Sequence, residues 1–177
     1  MAGLPGTGKT TLSDALGREL RWPIINKDEL KQTFLNMGET NIRAGAMAYE
    51  TVFTLTRDLL VRQKLSIILD TASLHLFILE HATKTVQATI NAHLKIILCI
   101  VNSDIRAQRL RTRTGAITQH MAEPSTREED LQLFRHLPQG ICIIDTQAPQ
   151  EECVAKALRY LLDEEAYCEI TSLFASE

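Results

Sequence analysis

Near the amino end, Gly3-Leu4-Pro5-Gly6-Thr7-Gly8-Lys9-Thr10 fits the pattern G-x-x-x-x-G-K-[ST]. Glycines at this spacing let the backbone take turns that a Cβ would forbid. Successive N–H groups then point inward and form a nest for phosphate oxygens. Lys9 adds an ammonium for the β- and γ-phosphates, and the Thr10 hydroxyl is an oxygen ligand suited to Mg²⁺. A helix starting at Thr10 would turn its positive end toward the same anion. Leu12, Ala15, Leu16 and Leu20 follow at helical spacing, as such a helix requires. Gly3, Gly6, Thr7, Gly8, Lys9, Thr10 and Thr11 are therefore the candidate nucleotide-binding residues, with ATP and Mg²⁺ as the expected cofactors.

Three carboxylates follow apolar, strand-like runs: Asp28 after Ile24-Ile25-Asn26, Asp70 after Ile67-Ile68-Leu69, and Asp145 after Ile141 to Ile144. In open α/β sheets, ligands sit beyond the carboxyl ends of the strands, where these carboxylates fall. Transfer of a phosphoryl group to a hydroxyl needs a carboxylate to orient the acceptor and take its proton. Asp28 is the candidate, and it also suits the cap of the helix that follows. Asp70 holds the place of the acidic residue that helps bind Mg²⁺ together with Thr10. Arg106, Arg109, Arg111 and Arg113 crowd one helix, with 106, 109 and 113 on a shared face and Arg111 pointing away. Guanidinium groups suit the charge that develops on a transferring phosphoryl, so Arg109 and Arg113 join Lys9 and Asp28 as catalytic candidates.

The elements that must position these groups read as an α/β alternation, the pattern of a parallel sheet. After the helix of the glycine-rich turn come a strand over Pro23–Asn26 and a helix from Lys27 to about Met37 with Leu30, Phe34 and Leu35 on one face. Gly38 to Gly45 reads as a loop carrying Arg43, a candidate substrate contact. A helix over about 46–64 follows, with Ala48, Val52, Leu55 and Leu59 as its buried stripe. Ser66–Asp70 is a strand, and Leu76 to about His93 a helix using Leu79, Ala82, Val86 and Ile90. Lys95–Val101 is continuous enough to be buried on both faces. Ser103 is placed to cap the arginine helix, which runs through Arg113. Gly115 to Thr126 reads as a mobile connection suited to a lid, then Glu128 to His136 as a short helix. Ile141–Asp145 is the last strand and Glu151–Leu162 the last helix. The expected division is a kinase domain over 1–162 and an acidic tail over 163–177.

Composition narrows the class. The chain has 177 residues, a formal net charge of −3, and 45% hydrophobic residues, which suits one domain with a sizeable core. No global positive field draws it to nucleic acid. No apolar run reaches the roughly 20 residues of a membrane span, and no signal peptide is evident, so a cytoplasmic location is expected. Cys99, Cys142, Cys153 and Cys168 lack C-x-x-C spacing, and two of them sit in strand-like runs as small hydrophobes. The histidines show no zinc spacing, and His75 and His81 read as ordinary polar positions.

Together these segments resemble the P-loop kinases of the predicted-kinase group, an AAA-type ATPase family related to polynucleotide kinase, zeta toxin and chloramphenicol phosphotransferase. The resemblance runs from Gly3 to about Leu162. It is carried by the glycine-rich turn, Ile25-Asn26-Lys27-Asp28-Glu29-Leu30-Lys31, Ile68-Leu69-Asp70-Thr71-Ala72-Ser73, and Arg109-Leu110-Arg111-Thr112-Arg113. It implies a three-layer P-loop NTPase fold with strand order 2-3-1-4-5. It also implies that Asp28 is the acceptor-side base, that Lys31 contacts substrate, that Arg109 and Arg113 reach the phosphates from a lid, and that Asp145 and Thr146 lie round the adenine. Only Met1 and Ala2 precede Gly3, so the first, central strand reads as truncated, and a start upstream with Met1 internal is the favoured expectation. Leu74 to Thr85 carries no arginine, where many relatives have one, and Lys31 replaces an arginine.

The expected activity is transfer of the γ-phosphoryl of ATP to a hydroxyl of a small molecule, with oligomeric state left open. Alternatives are a polynucleotide 5′-hydroxyl kinase, for which the arginine helix could form a local patch, and a nucleotide-binding regulatory protein without transferase activity. A GTPase is disfavoured on two grounds. Asn26-Lys27-Asp28-Glu29 has Glu where the guanine-binding N-K-x-D needs Asp, and no D-x-x-G switch follows Asp70.

Overall fold

The structure, a computed structural model, describes residues 1–71, 76–112 and 132–166. After the glycine-rich turn comes α1 (Lys9–Leu20), then β1 (Ile24–Asn26), α2 (Lys27–Asn36) and α3 (Asn41–Arg57). α3 runs into a π-helical turn over Asp58–Arg62. β2 (Ile68–Asp70), α4 (Leu76–Gln87), β3 (Ile97–Ile100), α5 (Ser103–Thr112), β4 (Cys142–Asp145) and α6 (Gln150–Leu162) complete the described elements. Arg113, the expected connection over 115–126, residues 128–131 of the expected helix over 128–136, His75, Cys168 and the tail beyond 166 lie outside the described residues.

β1 pairs in parallel with β2, placing Asn26 beside Asp70, and β3 pairs in parallel with β4, placing Ile100 beside Asp145. Met1 and Ala2 stand between the two pairs. The amino group of Met1 donates to the Leu69 carbonyl at 2.7 Å. Ala2 N–H donates to the Ile97 carbonyl at 2.7 Å and its carbonyl accepts from Cys99 N–H at 2.9 Å. These two residues therefore lie where the expected order has its first strand, and Ala2 forms a single parallel bridge to Leu98.

Layering follows from the period-two alternation of β3. Ile97 and Cys99 pack with Leu12 and Leu16 of α1 and with Cys153 and Ala157 of α6. Leu98 and Ile100 pack on the other face with Leu4, Leu79 of α4 and Phe134. All of β3 is buried, as its unbroken apolar run requires. Cys99, Cys142 and Cys153 are buried and unbridged, and burial pushes the Cys99 thiol up to about 12. Cys99 and Cys142 thus serve as small hydrophobes, the role expected of them.

Several boundaries differ from expectation for local reasons. α3 starts at Asn41 because the Thr40 hydroxyl accepts from Arg43 N–H, so Arg43 lies in the helix's first turn rather than in a loop. Its buried stripe is Ala44, Ala48, Val52 and Thr56 at four-residue spacing, while Leu55 is exposed. α2 has no fully buried residue, so Leu30, Phe34 and Leu35 are only half-covered against α3. α4 ends at Gln87, and Ile90, expected in its stripe, is 89% exposed. α5 is headed by Asn102, whose Oδ1 accepts from Asp104 N–H at 2.8 Å; Ser103 is its first helical residue.

Candidate functional site

The glycine-rich turn leads from Ala2 into α1. Gly3 has φ of 137°, and a Cβ there would lie 2.5 Å from the Cys99 carbonyl oxygen. Conformation and close approach to β3 both require glycine at this point. Gly8 occupies the cap of α1 in the left-handed region and brings no side chain to its first N–H groups, which leaves that helix end suited to an anion. Thr7 is buried and its hydroxyl donates to the Leu4 carbonyl at 2.8 Å. Lys9 Nζ reaches back over the turn to the same carbonyl at 2.9 Å.

Thr10, on the first turn of α1, donates through Oγ1 to Asp70 Oδ2 at 2.7 Å. Asn26, paired across the strands with Asp70, donates through Nδ2 to the same oxygen at 3.1 Å. Asp70 is 4% exposed, and no salt bridge reaches it among the described residues. A buried carboxylate without a cation is costly. The donors fit Mg²⁺ in kind, being hard oxygens of one hydroxyl and one carboxylate. The Thr10 proton points to Asp70 Oδ2, and the Thr10 and Asn26 hydrogen bonds both fall on that oxygen, which suits Asp70 Oδ1 to an ion. No cluster of three or more His, Cys, Asp or Glu side chains suits a metal among the described residues.

Asp28 lies in the first turn of α2, but it does not cap it. Asn26 Oδ1 accepts from the N–H groups of Asp28 at 2.9 Å and Glu29 at 3.2 Å. The Asp28 carboxylate accepts from Lys27 Nζ at 2.9 Å and is more than half exposed. Lys27 also stands 5.2 Å from the Tyr49 ring centroid. Burial, with Asp28 nearby, pushes the Tyr49 phenol up to about 12. Burial and the neighbouring Lys27 charge lower the pKa of Lys31, partly offset by Asp28. Arg43 pairs with Glu39 at 3.2 Å on the exposed side of α3. Asn26, Lys27 and Tyr49 were not candidates in the sequence. Asn26 had a readable signal, an Asn two residues before a helical Asp, because such an Asn can bond that N–H.

On the other side of the turn, α5 packs against it: a Cβ on Gly6 would lie 3.0 Å from Leu110 and 3.1 Å from Arg106 side-chain atoms. Arg106 is buried and Arg111 exposed, as the shared-face reading requires. Arg109 donates from Nη1 to Thr146 Oγ1 at 2.9 Å and from Nη2 to the Thr146 carbonyl at 2.8 Å. The Thr146 hydroxyl in turn donates to the Thr7 carbonyl at 2.8 Å. Asp145 turns its carboxylate onto Gln147 N–H at 3.0 Å. Gly6, Gly8, Lys9, Thr11, Arg109 and Thr146 line a cleft of about 590 Å³, a volume suited to a nucleotide. A larger cleft, about 870 Å³, opens at the amino ends of β2 and β3 among Trp22, Ile67, Ile96 and Leu161. It carries none of the residues of the glycine-rich turn.

A protein-family comparison matches residues 1–122 to a family described as AAA domain. No curated protein sequence matches the chain. Among solved structures, a provisionally named kinase from Chloroflexus aurantiacus J-10-fl aligns with a TM-score of 0.69 at 25% identity, over 89% of this chain and 94% of that one. A sugar kinase from Janibacter sp. HTCC2649 aligns with a TM-score of 0.63 at 15% identity, over 90% and 91%. A gluconokinase from Sinorhizobium meliloti 1021 aligns with a TM-score of 0.55 at 18% identity, over 89% and 87%. The family match reaches from the glycine-rich turn through α5; the chain belongs to the AAA domain family and has the P-loop NTPase fold seen in these kinases.

Proposed function

We propose that the protein is a kinase that transfers the γ-phosphoryl group of ATP to an alcohol of a small molecule. The observation that carries this reading is the meeting of Thr10 and Asp70, 60 residues apart in sequence, at 2.7 Å beside the uncapped start of α1. Bound there, Mg²⁺ would be held by Thr10 and Asp70 and would supply charge neutralisation at the phosphates. The amides of residues 3–11 and the Lys9 ammonium grip the β- and γ-phosphates. Asp28 orients the acceptor hydroxyl and takes its proton as the oxygen attacks. Arg109, together with Arg113, covers the charge that develops during transfer. Thr146 closes the adenine side, and Lys31 and Arg43 contact the acceptor. The acidic overall charge weighs against a nucleic-acid acceptor, and a gluconokinase and a sugar kinase among the structures sharing the fold support a small polyol or sugar acid.

The test is a phosphoryl-transfer screen with Mg²⁺-ATP against sugars, sugar acids, nucleosides, aminoglycoside-like alcohols and 5′-hydroxyl oligonucleotides. Label is expected on a small alcohol. Label only on the oligonucleotide would move the assignment to a polynucleotide kinase. ATP binding with no acceptor labelled would leave a regulatory nucleotide-binding protein.

A further inference from the structure

Asn26 occupies a position that the chemistry proposed above does not use. Its amide spends both ends at once. Nδ2 donates to Asp70 Oδ2 at 3.1 Å, the same oxygen that accepts the Thr10 hydroxyl at 2.7 Å. Oδ1 accepts from the N–H groups of Asp28 and Glu29. No other natural side chain of this length presents a donor and an acceptor on one rigid plane. The parallel register of β1 on β2 sets Asn26 directly across from Asp70, so backbone pairing fixes its distance to both partners.

We infer that Asn26 is a positioning residue that ties the metal-binding carboxylate, Asp70, to the first turn of the helix bearing the acceptor-side carboxylate, Asp28. The inference rests on the kinase reading for what the tie achieves, though not for its existence. A metal-ligating carboxylate needs its spare lone pairs held if its ligating oxygen is to keep one direction. An acceptor base needs a fixed place relative to the phosphate, because small displacements cost large factors in rate. One amide meets both needs and makes the two sites move together. A ligand ordering Asp70 thereby orders the start of α2, and coupling of this kind is reciprocal.

The experiment uses the whole chain with Mn²⁺ and ADP as the probe. Metal binding is read by electron paramagnetic resonance, and α2 by hydrogen exchange at the Asp28 and Glu29 amides. In the wild type, Mn²⁺-ADP slows exchange at those amides. Asn26→Ser keeps a capping oxygen but is too short to cap and reach Asp70 together. It is expected to raise the half-saturating Mn²⁺ concentration and lower kcat by about tenfold or more. The slowing of amide exchange by Mn²⁺-ADP is lost, while acceptor KM stays within about twofold, as expected when only transition-state positioning is removed. Should Ser fail to hold the cap, Asn26→Thr offers a second neutral capping oxygen of the same short reach, and the same loss of kcat and of coupling is expected. Metal binding, kcat and coupling all at wild-type values in both variants would overturn the tie and leave Asn26 a helix cap alone. If coupling is present and lost as described yet no alcohol is phosphorylated, the tie stands and the kinase reading falls. If the wild type binds no Mn²⁺-ADP, both fall.

Discussion

The two ends of the proposed reaction are built differently. On the phosphate side, buried and half-buried groups bond to backbone and to one another: Thr7 to the Leu4 carbonyl, Thr146 to the Thr7 carbonyl, Arg109 to Thr146, Thr10 to the buried Asp70. On the acceptor side, Asp28, Glu29 and Arg43 are exposed, and α2 buries no residue completely. The phosphate tail is the same in every reaction of this type, so its grip can be set rigidly in the core. An acceptor pocket built from surface side chains on α2 and α3 can change without disturbing that grip. On the proposed reading, nucleotide and acceptor requirements fall on separate parts of the fold, and the proposed Asn26 tie is what joins them.

The sharpest way to break the comparison is Lys9→Ala. Removing the ammonium is expected to cut transfer by at least about a thousandfold, the upper range for losing one preorganised donor. The fold should stay, with the melting temperature moving by no more than a few degrees, because the turn is held by Thr7 and the glycine backbone. Undiminished ATP consumption by this variant would remove the phosphate assignment.

Next in size is Asp28→Asn. If Asp28 takes the acceptor proton, transfer falls by roughly a hundredfold, with ATP affinity nearly unchanged. The cap cannot confuse the result, since Asn26 and not Asp28 bonds the first N–H groups of α2. Wild-type transfer rates would show that the two sides are separable only because the acceptor side does no chemistry.

The same contrast explains what could be read in advance. The glycine-rich turn was legible because backbone turns and a nest of amides demand few residue types at fixed spacing. Asp70 was legible because a carboxylate ending an apolar strand has few structural uses. β3 was legible from an unbroken apolar run. The acceptor side was harder because its helices are half-covered, so periodicity marks them weakly. Leu55 and Ile90 sat at core spacing yet face outward, and Thr56 took the buried place in α3. Arg43 looked like a loop residue because Gly38 and Gly45 flank it, whereas Thr40 caps a helix there. Lys27 and Tyr49 meet only through the packing of α2 on α3, which no local pattern encodes.

A smaller effect sharpens the phosphate side. Thr146→Val removes the hydroxyl that donates to the Thr7 carbonyl and accepts from Arg109. Two hydrogen bonds at about 1 kcal/mol each correspond to a roughly tenfold to thirtyfold rise in the KM for ATP. The acceptor KM should hold, measured by varying one substrate at saturation of the other. A rise confined to the acceptor would contradict the separation of the two ends.

The smallest effect lies at Lys31, where pH separates binding from stability. Lys31→Met is expected to raise the acceptor KM by up to about fivefold, the range of a single exposed ionic contact, and Lys31→Arg to restore it. Burial and Lys27 lower the Lys31 pKa below the ordinary 10.5, so the ammonium is lost at a lower pH in the folded protein than in the unfolded chain. A contact made by that ammonium is fully present below the folded pKa and weakens as pH rises through it, so acceptor KM climbs on the alkaline side. The stability contribution runs the other way. Between the folded pKa and 10.5 the unfolded chain binds more protons, so this residue's share of stability rises with pH. An alkaline rise in KM in the wild type, absent from the Lys31→Arg variant and unaccompanied by a fall in melting temperature, therefore reports the contact itself. A rise that follows global melting instead would assign the effect to unfolding and leave Lys31 outside the acceptor site.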